Sequence, residues 1–178
     1  MPGADPFSEE QVGLLLAAAA RRSRRENAWI TLLIHSGFRA QEILRCRVLD
    51  VADGIRVRPY LRIDRRRMKG GRGPRRRSVT ARTVPVSNDA SDALCDYLQE
   101  RAAQGTLHPD APLFLSRNRG PLSIWRANVI LKELIADAGF AGEGRFSTHS
   151  GRKAWAHKLY AVSGDILLVR DGLFHVTK

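Results

Sequence analysis

The amino-acid sequence predicts one α+β domain, mostly helical, with a small antiparallel sheet or hairpin in its middle. Apolar residues recur at helical spacing on both sides of a central segment in which they alternate with basic residues. The 178 residues, 43% of them hydrophobic, are enough for one domain with a substantial core. Neither an internal repeat nor a long linker interrupts them, so one layered domain is the expected architecture.

The N-terminal part predicts three helices. Ser8 opens a capping box, so the first helix is expected to start there and to run to about Ala20. The next helix, residues 26–36, is apolar nearly all round and should lie in the core. Gly37 is expected to end it, and residues 39–47 are expected to form a third helix.

Short strands are predicted in the middle of the chain. Apolar and basic residues alternate at 55–58 and again at 61–64, which is typical of strands with one wet face. The glycines within 70–74 predict a turn, and residues 83–86 predict a third strand. Helices are then predicted at 89–103, 123–138, 148–162 and 165–170.

The charge of the chain favours a polyanionic partner. The formal net charge is +12, the pI is about 10.9, and 25 of the 30 basic side chains are arginine. Arginine suits bidentate phosphate contacts, which favours nucleic acid over a membrane surface. The apolar run 12–20 is too short to span a bilayer and has the wrong charge polarity for a signal peptide, so we expect a cytoplasmic protein.

Two local motifs contain cations suited to a phosphate. A phosphodiester cut without metal needs donors for two non-bridging oxygens and a proton for the leaving oxygen. Arg39 follows a glycine that permits a sharp turn, and Glu42 stands one turn on, where it can orient the guanidinium. His149 and Arg152 are expected on one face of a helix that Thr148 caps. Each motif alone also fits an ordinary surface ion pair or a capped surface helix.

The order of the cationic motifs resembles the catalytic domain of the tyrosine recombinases, the phage integrase family. Phe174 stands where that family usually has glycine, and Gly151 where leucine is expected. The matching segments are Gly37-Phe38-Arg39-Ala40-Gln41-Glu42, Lys69-Gly70-Gly71 with Arg82-Thr83-Val84-Pro85-Val86, His149-Ser150-Gly151-Arg152 and Leu173-Phe174-His175.

The resemblance implies DNA strand exchange without metal or ATP, through a 3′-phosphotyrosine. Arg39 and Arg152 would clamp the non-bridging oxygens, and Lys69 would protonate the leaving 5′-oxygen. His149 would assist proton transfer, and His175 would hydrogen-bond the phosphate.

The resemblance also implies parts that we expect residues 1–178 to lack. Family members carry a separate N-terminal DNA-grasping domain, and their nucleophilic tyrosine stands shortly after the last histidine. We therefore expect a catalytic domain without either, inactive by itself, which self-associates on DNA in the full-length protein. Tyr60 is expected in a strand, Tyr97 in mid-helix and Tyr160 in the core, so none is expected to be the nucleophile.

Double-stranded DNA is the expected partner. The segment 56–82 holds 11 arginines and Lys69 against one acid, which is typical of an arm that follows a phosphate backbone. No metal-ligand spacing and no nucleotide-binding motif occurs, so no cofactor is expected. A non-catalytic DNA-binding protein of the same fold and an Arg-rich RNA-binding module stay open as alternatives. The expected DNA contacts are Arg65, Arg66, Arg67, Arg72, Arg75, Arg76 and Arg77.

We predict DNA binding that depends steeply on salt and little on sequence. Each phosphate contact releases counterions, so the logarithm of the affinity should fall linearly with the logarithm of the salt concentration. Alanine in place of the arginines at 65–67 and 75–77 should flatten that dependence. Fluorescence anisotropy with duplex DNA at several NaCl concentrations measures the slope, and strong binding that is unchanged by salt would contradict the prediction.

Overall fold

The computed structural model describes residues 3–68 and 80–173. The predicted class is confirmed, because these ranges are mostly helical with small antiparallel sheets. The helices are α1 (Glu9–Arg22), α2 (Arg24–His35), α3 (Ala40–Ile43), α4 (Asn88–Ala103), α5 (Ile124–Asp137), α6 (Thr148–Ser163) and α7 (Ile166–Leu173). The strands are β1 (Ala52–Asp53), β2 (Arg56–Val57), β3 (Tyr60–Ile63) and β4 (Arg82–Pro85), and 3-10 turns cover Val48–Asp50 and Arg65–Arg67.

Helix α2 forms the centre of the core, as its apolar sequence predicted. It packs against α1, α4 and α6, and Trp29, Ile30 and Leu33 on it are fully buried. Burying a side chain of this kind stabilises the fold by about 1.5–3 kcal/mol. The predicted capping box is also present, since the Ser8 hydroxyl accepts the Gln11 N–H at 3.1 Å and the Gln11 side chain accepts the Ser8 N–H at 3.1 Å.

The single small sheet expected from the sequence is two separate two-stranded ladders in the described residues. Strand β1 pairs with β2, and β3 pairs with β4, both antiparallel. Pro59 stands between β2 and β3; it has no N–H to donate, and its carbonyl accepts the Val86 N–H at 2.9 Å. The β3–β4 register places Ile63 opposite Arg82.

The helix predicted over 39–47 is wrong in length, because α3 is only Ala40–Ile43. After Ile43 the turns tighten, and the N–H of Cys46 donates to the carbonyl of Ile43 at 3.0 Å. Arg47 then forms a β-bridge with Pro112. A distant loop therefore overrides the local helical pattern. Within residues 3–68 and 80–173, no helix is long and apolar enough to cross a membrane.

Gly37 ends α2 in a conformation that excludes a side chain. Its φ is +62°, and a Cβ atom there would lie 2.6 Å from the Trp155 ring of α6. Gly54 has a similar φ of +58° but nothing within 4 Å of the position of a Cβ. The backbone angle alone disfavours a side chain at both positions, and the contact with α6 does so only at Gly37.

We expect Gly37→Ala to lower the free energy of unfolding by about 2–5 kcal/mol, because strain and a steric clash add there. Gly54→Ala is the matched control and should cost only about 1–2 kcal/mol, because it adds strain without a clash. Urea unfolding followed by tryptophan fluorescence measures both. Equal losses in the two variants would contradict the role given to the Gly37–Trp155 contact.

Candidate phosphate-binding site

Glu42 is a buried carboxylate that fixes Arg39. One carboxylate oxygen accepts the backbone N–H of Arg39 at 2.9 Å, and the other accepts its guanidinium Nη1 at 3.1 Å. The Glu42 side chain is 3% exposed and that of Arg39 is 29% exposed. Arg39 is therefore held from the protein side while part of its side chain faces solvent. Because Glu42 already accepts the N–H of Arg39, that N–H is not available to an anion.

The start of α6 places His149 and Arg152 in different environments. The cap is Ser147 and not Thr148 as predicted: the Ser147 hydroxyl accepts the His149 N–H at 3.2 Å, and Ser150 accepts the Ser147 N–H at 3.0 Å. His149 is exposed in the first turn, and Arg152 is buried one turn later. The helix start thus presents the imidazole to solvent and directs the arginine inward.

Arg152 joins α6 to the ends of two other helices. Its Nη1 donates to the carbonyl of Gly37 at 2.5 Å, and its Nη2 donates to the carbonyl of Leu173 at the end of α7. Gly37 is two residues before Arg39, so this contact brings the two predicted arginines to the same turn. Burial lowers the pKa of Arg152 to about 10, and the charge of Arg39 also lowers it, whereas Glu42 raises it. Arg152 remains cationic at neutral pH.

Arg82 is a third arginine of this cluster, and sequence reasoning did not name it as a site residue. It is 1% exposed, and its guanidinium donates to the carbonyls of Gly37 at 3.1 Å and Ser36 at 3.2 Å. The group lies 4.2 Å from the centre of the Phe38 ring and 5.7 Å from that of Trp155. Burial, followed by the charge of Arg152, lowers the pKa of Arg82 to about 10.

A signal for Arg82 was present in the alternation of the strand. Residues 82–85 alternate buried and exposed, so Arg82 shares the inner face with Val84. The sequence interpretation began the strand at Thr83, one residue late, and so left Arg82 off that face. A basic residue on the apolar face of a strand is a sign of a buried cation with specific partners.

Among the described residues, the cluster brings together three guanidinium groups, those of Arg39, Arg82 and Arg152, and one carboxylate, that of Glu42. Two arginines with parallel N–H donors can bind two oxygens of a phosphate. Desolvation strengthens such a contact. The described residues hold no group of three His, Cys, Asp or Glu that is arranged for a metal ion.

Comparison with known proteins decides the family. The model of the phage integrase family matches residues 6–177, nearly the whole chain. This chain belongs to the phage integrase family. The resemblance inferred from the order of the motifs is thereby confirmed.

The relatives of this integrase-family chain include curated recombinases. The tyrosine recombinase XerD of Corynebacterium glutamicum is 29% identical over 177 residues, covering 96% of this chain and 53% of XerD. The tyrosine recombinase XerC of Methylobacterium sp. strain 4-46 is 29% identical over 153 residues, covering 86% of this chain and 42% of XerC. The chain therefore spans about half the length of the curated relatives it matches.

Solved structures share the fold. The XerA recombinase superposes with a TM-score of 0.78 at 21% identity, covering 99% of this chain and 57% of XerA. The XerH site-specific recombinase in its pre-cleavage complex with difH substrate gives a TM-score of 0.73 at 19% identity, covering 97% of this chain and 47% of XerH. At these identities the likeness shows that the integrase-family fold is present.

The other predicted site residues fall into two groups. Arg65 and Arg66 are exposed in the 3-10 turn after β3, whereas Arg67 forms an ion pair with Asp50 and is mostly buried. Arg67 is thus held against the protein. Lys69, Arg72, Arg75, Arg76, Arg77 and His175 lie outside the described residues.

The chain's three tyrosines are described, and one expectation about them is wrong. Tyr60 lies in β3 and Tyr97 lies in α4, as predicted, and the Tyr97 hydroxyl accepts the Leu115 N–H at 3.2 Å. Tyr160 was expected in the core but is 51% exposed, because the last turns of α6 project beyond the core. Tyr160 is eight residues after Arg152 on α6, a separation of about 12 Å along the helix axis.

We expect Glu42→Gln to lower the free energy of unfolding by about 1–3 kcal/mol, because it removes the counter-charge among the buried arginines. Added inorganic phosphate should then raise the melting temperature of the variant more than that of the wild type. Glu133→Gln is the control, since Glu133 pairs with Arg22 at the surface, where such pairs contribute about 0–1 kcal/mol. Urea unfolding and thermal melts with and without phosphate measure both effects, and an unchanged stability of Glu42→Gln would contradict the prediction.

Proposed function

We propose that this chain is the catalytic domain of a tyrosine-type site-specific DNA recombinase. The proposal depends chiefly on one observation: Arg39 and Arg152 meet at the Gly37 turn, with a buried carboxylate behind Arg39 and part of the Arg39 side chain exposed. The arrangement suits a group that is anionic and reached from solvent. A DNA phosphodiester is such a group.

Double-stranded DNA is the proposed substrate. The net charge of +12 favours a polyanion. The XerH structure contains its difH substrate, and the Tn1549 transposon integrase, of the same fold, was solved in complex with transposon right end DNA. By these likenesses the exposed Arg65 and Arg66, and the arginines at 72 and 75–77, would contact phosphates beside the cleavage site. We also propose self-association on DNA.

The proposed chemistry assigns roles by residue. Arg39 and Arg152 donate to the two non-bridging oxygens, on which negative charge grows as the nucleophile adds. Lys69 protonates the leaving 5′-oxygen, His149 assists proton transfer, and His175 donates to the phosphate. The exposure of His149 in the first turn of α6 supports a role for it at the surface of the site, where DNA arrives. The product of cleavage is a 3′-phosphotyrosine, which a 5′-hydroxyl from another strand attacks in the rejoining step.

The energetic contribution of the two arginines comes from preorganisation. Their partners hold them before the substrate binds, so little reorganisation is needed when charge develops. The burial of Arg152 lowers the local dielectric and strengthens its contact with the phosphate. A donor of this kind typically contributes about 3 kcal/mol to stabilising the transition state.

We assign none of the three tyrosines the role of nucleophile. Tyr97 is buried and bonded to Leu115, and burial raises the pKa of its phenol. Tyr160 is exposed about two turns beyond Arg152 on α6, whereas the Arg152 guanidinium is held against the carbonyls of Gly37 and Leu173. Tyr60 lies on the strand pair β3–β4. Residues 1–178 alone are accordingly proposed to bind DNA without forming a covalent adduct.

We expect Arg39→Ala and Arg152→Ala each to slow DNA cleavage by about 10²-fold, the equivalent of about 3 kcal/mol. The assay is covalent capture on a nicked suicide duplex followed by denaturing electrophoresis. It uses a protein that joins residues 1–178 to a segment bearing the nucleophilic tyrosine. Arg24→Ala is the control, since Arg24 is exposed at the distant start of α2, and it should leave the rate within about twofold.

Two outcomes would contradict this scheme. A covalent band formed by residues 1–178 alone and lost in Tyr160→Phe would identify Tyr160 as a nucleophile. Failure of the joined protein to form any band on a cognate site, with DNA binding intact, would favour a non-catalytic DNA-binding protein of the same fold.

A further inference from the structure

Arg82 lies where three parts of the site meet. It holds the end of α2 through the carbonyls of Ser36 and Gly37. It belongs to β4, opposite Ile63 of β3, at the end of the ladder from which the connection containing Lys69 departs. Its guanidinium is also close to the Trp155 ring of α6, the helix that carries Arg152. One side chain thus links the elements that position the proposed catalytic cations.

The carbonyl of Gly37 is an acceptor shared by Arg82 and Arg152. A carbonyl oxygen has two lone pairs, so two donors can bind it when both approach from fixed directions. Arg82 also donates to the carbonyl of Ser36. The two contacts together fix the orientation of the backbone at Gly37. Because Arg39 follows Gly37 by two residues, this peptide sets the direction from which the chain enters the Arg39–Glu42 contact.

Arg82 does not itself reach a phosphate. It is 1% exposed, and the Phe38 ring lies 4.2 Å from its guanidinium. The planar fork satisfies two carbonyls while its face rests against the aromatic ring, an arrangement that a lysine ammonium cannot reproduce. Its effect on a bound phosphate is therefore exerted through Gly37 and its neighbours.

We propose that Arg82 is a positioning residue that holds the Gly37 turn so that Arg39 and Arg152 bind the same phosphate. The inference rests on the proposed function and deepens it, because it assigns a role to a residue that does not contact the substrate.

Arg101 provides a matched control in the same chain. It is also 1% exposed, and its guanidinium donates to the carbonyls of Pro112 at 2.8 Å, Leu113 at 3.0 Å and Thr106 at 2.6 Å. It packs near the Tyr97 ring, with 5.8 Å between the guanidinium and the ring centre. The two arginines therefore share burial and bonding type, but Arg101 holds the loop after α4 and makes none of these contacts at the Gly37 turn.

The test is an NMR titration of residues 1–178 with inorganic phosphate, at constant ionic strength. The side-chain Nε–H signals of Arg39 and Arg152 report binding, and urea unfolding reports stability. In Arg82→Met the dissociation constant read from these signals should rise about tenfold or more, because a misdirected donor loses its charge-assisted hydrogen bond. Arg82→Lys keeps the positive charge but lacks the two parallel N–H donors, so it should also bind phosphate more weakly. This variant tests the proposal if Arg82→Met does not fold. Arg101→Met should lose stability and bind phosphate as the wild type does.

The outcomes separate this inference from the proposed function. Wild-type affinity in both Arg82 variants, beside weakened binding in Arg39→Ala, would overturn the positioning role and leave the proposed function intact. Equal weakening in Arg101→Met would also overturn it, because the effect would then follow global stability. Wild-type phosphate affinity in Arg82→Lys, beside weakened binding in Arg82→Met, would overturn the positioning role, because the charge of residue 82 alone would then account for the effect. No response of Arg39 and Arg152 to phosphate in the wild type would refute the proposed site itself.

Discussion

The carbonyl of Gly37 is the contact on which the arrangement of the site depends. The last carbonyls of a helix have no partners within the helix, and the helix dipole makes that end negative. In this chain the end of α2 receives the buried guanidinium groups of Arg82 and Arg152. The carbonyls of Ser36 and Gly37, at the end of α2, thus bind Arg152, which is proposed to act on a phosphate, and Arg82, which is proposed to position the turn. Glu42 does the same for Arg39.

The buried arginines lower the stability of the fold, and the same positive charges favour the proposed phosphate binding. Burial and like charges lower the pKa values of Arg82 and Arg152, so their cationic forms are less stable here than in water. The carbonyls of Ser36 and Gly37 and the carboxylate of Glu42 offset part of that cost. An anion beside these guanidinium groups would offset the unfavourable burial of their charges, so the cluster favours anion binding. A cluster neutralised completely by carboxylates would be more stable and would attract phosphate less.

Sequence reasoning found those parts of the fold and site that local patterns determine. Hydrophobic periodicity predicted α2 and its burial. Local motifs identified Arg39, Glu42 and Arg152, which the structure places around one turn. It failed where distant contacts decide the outcome. The bridge between Arg47 and Pro112 shortens α3, and the choice between adjacent hydroxyl residues moved the α6 cap to Ser147. The burial of Arg82 depends on carbonyls more than forty residues earlier in the chain, which a strand pattern does not contain.

Gly151 shows how a departure from the family pattern fits this geometry. A Cβ at this position would lie 3.2 Å from a side-chain carbon of Leu33, so α6 packs closely against the core helix α2. A leucine at 151 would force the two helices apart. Because Arg152 is the next residue, the close packing that glycine permits also brings its guanidinium within 2.5 Å of the Gly37 carbonyl. Small residues at 37 and 151 thus act together: one admits the Trp155 ring and the other admits Leu33, and both keep the end of α2 within reach of Arg152.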